Sequence, residues 1–337
     1  MKIAVFLGGS SPEREVSLAS GKAVAIALKS KGHSVLLFDP ALGDKPLEIE
    51  NILPDGIHSQ FPNEDELKKL SPKNYIDCVE SKLLNDVDLV FLTLHGQWGE
   101  DGRIQSLLEF RGIKYTGSKV MSSALTMDKA ITKILLKQNG IETAEWLTAK
   151  NNFDLQKIIF EINLKIGYPL VVKPNDQGST VGLTIVENEN EIEKAILTAL
   201  EFSSTALIEK FIPGRELTVA IIGEKVLPII EIKPQGGFYD YAHKYTKGMT
   251  EYICPADLEI NLAEKIEFAS KKFFDICQCE GFARADFRLQ DDGKFFALEI
   301  NTLPGMTATS LVPKAAKAIG IEFPELCEMI CKLTIAN

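Results

Sequence analysis

The stretch MKIAVFLGGSSPEREVSLASGKAVAIALKSKGHSVLLF, residues 1–38, decides the fold class. Residues 2–7 are an uninterrupted apolar run, as expected of a strand buried on both faces. Gly8-Gly9 turns the chain. From about Val16 to Lys31, the positions Val16, Ala19, Ala23, Ile26 and Ala27 keep helical spacing, and Gly32 supplies a natural end. Ser34–Phe38 is a second apolar strand and Val87–Leu94 a third. Strand, glycine turn, helix and strand in this order give a parallel sheet with right-handed crossovers. The apolar start runs into Gly8-Gly9 and the charged Glu13-Arg14-Glu15, so it reads as a buried strand and not as a leader. Gly8-Gly9-Ser10 lacks the G-x-G-x-x-G order, which argues against a dinucleotide site.

The 337 residues exceed what one hydrophobic core usually serves, so two or three domains are expected. Lys and Arg number 37 against 47 Asp and Glu, a formal charge of −10. That balance disfavours duplex nucleic acid and anionic membrane as partners, since both are polyanions. No window is long and apolar enough for a membrane span. Six scattered cysteines form no C-x-x-C pair and no zinc pattern with the four histidines, so reduced, buried thiols in a cytoplasmic protein are expected.

Residues 43–82 are polar and weakly periodic, with four prolines, and read as an irregular excursion without chemistry. The first unit closes near Thr116-Gly117-Ser118. One helix, Val120–Asn139, follows. Then come strands at Leu170–Lys173, Leu183–Val186 and Ala206–Lys210 and a helix at Glu189–Phe202, a small α+β unit. The last third carries a long loop, Lys233–Tyr252, with Gly236-Gly237 and five aromatics, then a helix striped by Leu262, Ile266, Ala269, Phe273 and Ile276.

Two strands at the end, Gly281–Leu289 and Lys294–Asn301, flank Asp292-Gly293. Asp-Gly between alternating runs predicts a two-residue type I′ turn. Opposed residue numbers then sum to 585, placing Asp286 across from Glu299 and Arg284 across from Asn301. The four form one polar patch, with Leu298 and Ile300 outside it. Two carboxylates roughly 5 Å apart repel unless a cation or proton intervenes. Asp, Glu and Asn are hard oxygen donors suited to magnesium shared with phosphate oxygens. The alternative is that Arg284 alone neutralises the pair, and a register slip by one residue would undo the geometry.

Lys173 through Gly182 is a strand-to-loop segment that can aim backbone N–H groups at phosphate, with Lys173 adding charge. It is not a P-loop, and a plain surface turn explains it equally. Lys129, after Met127-Asp128, reads on its own as a solvated helix lysine. His95-Gly96 lies at a strand end, where open α/β sheets bind ligands, or is structural.

Taken together, these segments resemble the D-alanine–D-alanine ligases of the ATP-grasp family. The resemblance rests on residues 8–17, His95-Gly96, Glu100-Asp101-Gly102, Met127-Asp128-Lys129, Lys173-Pro174, Gly178-Ser179 and Glu209-Lys210. It continues through Tyr239-Asp240-Tyr241, Lys244-Tyr245, Arg284-Ala285-Asp286, Glu299-Ile300-Asn301-Thr302, Pro304-Gly305-Met306-Thr307 and Ser310-Leu311-Val312-Pro313, in family order. It implies a Rossmann-like parallel-sheet domain (1–117) followed by two ATP-grasp domains, 118–210 and 211–337, that clamp ATP beneath a lid loop, 233–252.

It further implies that Lys129 and Lys173 bind phosphates, that Glu209, Lys210, Phe211 and Ile212 present backbone groups to adenine, and that Glu216 holds the ribose. Leu298, facing opposite to Glu299, would line the adenine pocket. Asp286, Glu299 and Asn301 would hold two Mg2+ ions, or Mn2+. Glu13 would pair with the first D-alanine's ammonium beside His95, and Arg284 with the Gly305 N–H would stabilise the oxyanion. Ser310 and Lys244 would receive the second substrate's carboxylate, and Ser179 and Tyr245 would order the lid. The implied product is D-alanyl-D-alanine for peptidoglycan precursor synthesis, made by a homodimer. Other carboxylate–amine ligases, a D-alanyl-D-lactate ligase and a nucleotide sensor without turnover are the competing readings.

Overall fold

The structure, a computed structural model, describes residues 1–53, 70–234, 249–307 and 309–336. β1 (Lys2–Phe6), α1 (Arg14–Ser30), β2 (Ser34–Phe38), α2 (Asn74–Glu80) and β3 (Leu89–Leu92) open the chain, and α3 (Arg103–Phe110) follows. The three strands pair in parallel in the order β2-β1-β3, as the sequence implies. Residues 3–7 are wholly inaccessible, consistent with helices covering both faces.

Residues 54–69 of the expected excursion lie outside the described residues, and the described part, 43–53 and 70–82, is less irregular than its composition suggests. α2 packs Tyr75 and Cys78 into the first core, and the Tyr75 hydroxyl accepts the Ser10 N–H at 3.2 Å. Short helices in proline-rich surroundings carry too weak a period to be read locally. The turn after β1 is likewise held by the protein itself. Gly8 N–H donates to Ser17 Oγ at 2.8 Å and Gly9 N–H to Asp39 Oδ1 at 3.0 Å, so neither is left for a dinucleotide.

The expected single helix over 120–139 is two helices, α4 (Val120–Met127) and α5 (Lys129–Gln138). Asp128 interrupts them with an extended ψ of 99°, and its carboxylate accepts the Ile131 N–H at 2.9 Å. An N-cap aspartate starts a new helix more favourably than it continues an old one. The break places Lys129 on the first turn of α5, docked on Asn175 by the Ala130 N–H at 2.9 Å.

β4 (Trp146–Lys150), α6 (Leu155–Lys165), β5 (Leu170–Pro174), β6 (Thr184–Val186), α7 (Ile192–Leu200) and β7 (Thr205–Lys210) form a four-stranded antiparallel sheet, β4-β7-β5-β6, backed by two helices. The sequence reading did not name β4 or α6. β8 (Arg215–Ile222), β9 (Lys225–Val226), β10 (Ile230–Pro234), β11 (Thr250–Ile253), α8 (Ile260–Ile276), β12 (Phe282–Leu289) and β13 (Phe295–Asn301) build a second antiparallel sheet, β11-β10-β8-β12-β13, with β9 on β8. Lys233, Pro234 and Thr250–Tyr252, expected in the long loop, are paired strand ends instead. Tyr239, Tyr241, Lys244 and Tyr245 lie outside the described residues. α9 (Leu311–Ala318) and α10 (Phe323–Ala336) return to the first sheet, where Leu326, Cys327, Ile330 and Cys331 join its core.

The terminal hairpin corrects one expectation and explains why another survives. Gly293 N–H donates to Gln290 O at 3.0 Å and Gln290 N–H to Lys294 O at 2.8 Å, so Asp291-Asp292-Gly293 is a three-residue turn with Gly293 at φ +84°. Near the turn opposed numbers therefore sum to 584, as in Phe287 with Ala297. A bulge then inserts Leu298, and from Asp286 with Glu299 onward the sum is 585. Two local departures from ideality offset each other, and the predicted pairing stands.

Candidate active site

β12 carries Arg284 and Asp286 and β13 carries Glu299 and Asn301, all on the face turned toward β5 and β7. Asp286 is buried and fully engaged. It accepts Thr218 Oγ1 at 2.6 Å, Arg284 Nε at 2.9 Å and Nη2 at 2.8 Å, and Asn301 Nδ2 at 3.3 Å. Glu299 pairs with Lys129 at 3.2 Å. The cross-strand carboxylates are thus each set against a cation, Arg284 for Asp286 and Lys129 for Glu299.

Between this face and the four-stranded sheet lies a cleft of about 1010 Å³, its open mouth included. Lys129, Lys173, Ser179, Glu209, Lys210, Phe211, Ile212, Glu216, Arg284, Asp286, Leu298 and Glu299 line it. Leu298 was expected to face away from Glu299. The bulge breaks the alternation and turns both into the cleft. Lys210 and Phe211 donate their N–H groups to Glu145 O at 3.0 Å and Pro169 O at 3.3 Å, so these two amides are already used inside the protein. Glu216 meets Arg288 at 3.3 Å, a cation absent from the sequence-derived set.

The basic wall of the cleft is more connected than the sequence suggested. Glu209, only 4% exposed, is gripped from both sides, by Lys173 at 2.5 Å and by Lys133 at 2.8 Å. Burial pushes its carboxyl up, yet the two ammonium groups prevail and hold it down at about 2. Burial pulls Lys173 down, but Glu209 and Glu299 outweigh this and raise it. Lys133 moves the other way, because its burial exceeds what Glu209 restores. Its spacing of four from Lys129 on α5 was the available signal, since both then share one helix face.

The loop after β5 gives the cleft its floor. Ser179 and Thr180 sit at φ +50° and +65°, a left-handed pair that non-glycine residues adopt only under tertiary constraint. Lys129 Nζ donates to Gln177 O at 2.7 Å, closing this loop against α5. Ser179 Oγ donates to the Glu13 carboxylate, joining the loop to the start of α1. Gly178 lies so close that a Cβ there would come within 3.0 Å of Glu13 Oε2.

A second cavity adjoins the first through Gly178, Ser179, Arg284 and Glu299. Glu13, His95, Glu100, Asn301, Gly305 and Ser310 complete much of its lining, with Tyr252 and Leu311. His95 is buried and its pKa falls below the usual imidazole range, burial outweighing the charge of Glu13, so the ring is neutral. Glu100, missed as a site residue, receives the Gly96 N–H at 2.6 Å, and burial beside Glu13 pushes its carboxyl up to about 8. Ser310 Oγ accepts the Thr307 N–H at 3.0 Å and meets Thr307 Oγ1 at 2.8 Å. Every sequence-derived site residue among the described ones lines one of these two cavities, and Lys244 and Tyr245 are not described.

Two cavities thus adjoin, one walled by lysines and opposed carboxylates and the other by a neutral histidine and further carboxylates. The family described as "D-ala D-ala ligase N-terminus" matches residues 2–118, and "D-ala D-ala ligase C-terminus" matches residues 135–332. A D-alanine–D-alanine ligase from Syntrophotalea carbinolica is 41% identical over 98% of this chain and 94% of its own length. One from Pseudoalteromonas translucida is 39% identical over 99% and 97%. Among solved structures, the D-alanine–D-alanine ligase of Bacillus anthracis superposes with a TM-score of 0.77 at 33% identity, covering 100% of this chain and 98% of its own. The VanG D-Ala:D-Ser ligase of Enterococcus faecalis gives 0.81 at 30% identity and 99% coverage of both chains. The chain belongs to the D-alanine–D-alanine ligase family.

Proposed function

We propose that the protein joins two D-alanine molecules into D-alanyl-D-alanine at the expense of ATP, a step in cell-wall precursor synthesis. The observation that carries this reading is the junction itself: the carboxylate pair Asp286–Glu299 and the lysines of the first cavity abut the Glu13 pocket across a strip of four shared residues.

In this reading ATP fills the first cavity with its phosphates at Lys129, Lys173 and the 176–182 loop, its ribose at Glu216 and its base against Leu298 and the 209–212 segment. Units 1–117, 118–210 and 211–337 are the working division of the chain. Glu13 holds the first ammonium beside neutral His95. The bound carboxylate attacks the γ-phosphorus, the bond to ADP breaks, and an acyl phosphate results. The amine of the second D-alanine then attacks that carbonyl and phosphate leaves. Arg284 and the Gly305 N–H face the oxygen on which charge develops, and donors placed for that charge lower the barrier. Ser310 receives the second carboxylate, a role the resemblance shares with Lys244. Exclusion of water protects the acyl phosphate.

Asp286, Glu299 and Asn301 suit Mg2+. Two carboxylates and a carboxamide are hard oxygen donors, the kind that Mg2+ takes. When bound, the ions would neutralise phosphate charge during transfer. A homodimer in the cytoplasm completes the reading, and among the described residues no helix is long and apolar enough to cross a membrane.

Incubation with ATP, Mg2+ and single D- or L-amino acids tests it, reading phosphate and dipeptide together. D-alanine-dependent release of phosphate with matching D-alanyl-D-alanine is the expected result. Release only with D-lactate or D-serine as acceptor would move the product to a depsipeptide or mixed dipeptide, and no release with any acceptor would leave a nucleotide-binding protein.

A further inference from the structure

Lys133 is fully inaccessible, a costly position for an ammonium group unless its partners are fixed. Its Nζ has three: Glu209 Oε2 at 2.8 Å, Thr143 Oγ1 at 2.8 Å and Ala144 O at 3.1 Å. The Thr143 hydroxyl passes the chain of bonds onward by donating to Ala297 O at 2.9 Å. Ala297 in turn donates its N–H to Glu142 O at 2.8 Å, so the 142–144 segment is bonded to β13 immediately before the bulge that turns Leu298 and Glu299 into the cleft.

These contacts link opposite walls of one cavity. Glu209 belongs to β7 of the four-stranded sheet, and Ala297 to β13 of the other sheet. Each member of this path, Glu209, Lys133, Thr143 and Ala297, is at most 8% exposed. We propose that Lys133 is a positioning residue for nucleotide binding. It fixes the Glu209 carboxylate on one wall and, through Thr143, the Leu298–Glu299 bulge on the other, so that the two walls keep the spacing a nucleotide requires. The inference rests on reading the first cavity as the ATP site.

Thr143→Val tests it, because valine keeps the shape of threonine and removes only the relay hydroxyl. ADP binding to the full chain is measured by calorimetry, alongside KM for ATP, KM for D-alanine and urea unfolding. The expected result is ADP binding weakened about 5–20-fold and KM for ATP raised in parallel, with KM for D-alanine within about twofold and unfolding still cooperative. Thr143→Ser restores ADP binding to within about twofold of the native protein, since it returns the hydroxyl. Lys133→Met weakens ADP binding at least as much, and adding Thr143→Val to it brings no further loss, as expected of one connected unit.

Unchanged ADP binding in Thr143→Val overturns the relay. So does an equal rise of both KM values, which a general loosening of the fold would produce. A native protein that binds ADP but makes no dipeptide defeats the ligase reading alone, and the ADP comparison still decides the role of Lys133.

Discussion

Asp286 and Glu299 oppose each other across β12 and β13 and are each held by a different cation, Arg284 and Lys129. The extra residue Leu298 sits beside this pair, so a hydrophobic wall and an acidic one emerge from consecutive positions of one strand.

Asp286→Asn removes one charge and keeps the shape. It is expected to lower kcat by about 10²–10³ with the fold intact, a loss typical of a group that serves the transition state. Steady-state rates with cooperative thermal unfolding as a control check this, and wild-type kcat in the variant would remove the metal role assigned to Asp286.

Leu298→Ala leaves both carboxylates in place and truncates a wall of the cleft. KM for ATP should rise about 3–10-fold, corresponding to roughly 1 kcal/mol of lost apolar contact, with KM for D-alanine unchanged. A rise in KM for D-alanine instead would assign Leu298 to the other cavity.

Gly178→Ala brings a Cβ within 3.0 Å of Glu13 Oε2. The carboxylate must shift, so KM for D-alanine at the first site should increase about tenfold, by a larger factor than any weakening of ADP binding. Isothermal titration with ADP separates the two, and a variant that binds D-alanine normally shows that Glu13 does not hold the ammonium.

Glu209 titrates far below an ordinary glutamate because two lysines, buried Lys133 and partly buried Lys173, hold it ionised. A carboxyl depressed in the folded state stabilises the protein above its unfolded value near 4.5, and this stability is lost as pH falls toward about 2. The loss amounts to about 3 kcal/mol. Glu209→Gln should therefore be less stable than the native protein at pH 7, with the gap narrowing as pH drops below 5. Urea midpoints at pH 7 and in the acid range measure it, and a gap independent of pH would show that the lysines do not set the ionisation of Glu209.

Much of this protein was legible locally. The run at residues 3–7 is apolar without interruption, and that suffices for a strand covered on both faces. The polar patch was readable because alternation on two antiparallel strands is a period-two rule that needs only one correct register. Its success at Asp286 and Glu299 nonetheless concealed two errors, a turn one residue longer than predicted and a bulge that restores the count. Hydrogen bonding to β8 on one side and to Glu142 on the other decides where a ladder absorbs an extra residue, and neither neighbour is near in sequence.

The sequence by itself determined the parallel β-α-β opening, the polar patch of the last hairpin and the family the motifs describe, because these follow from residue type and short spacing. Tertiary structure alone decided that Lys133 is buried against Glu209, that Thr218 bonds to Asp286, and that Leu298 faces the same way as Glu299. Each of these depends on groups tens of residues apart meeting in a packed, low-dielectric interior, where position in space sets charge, direction and reach.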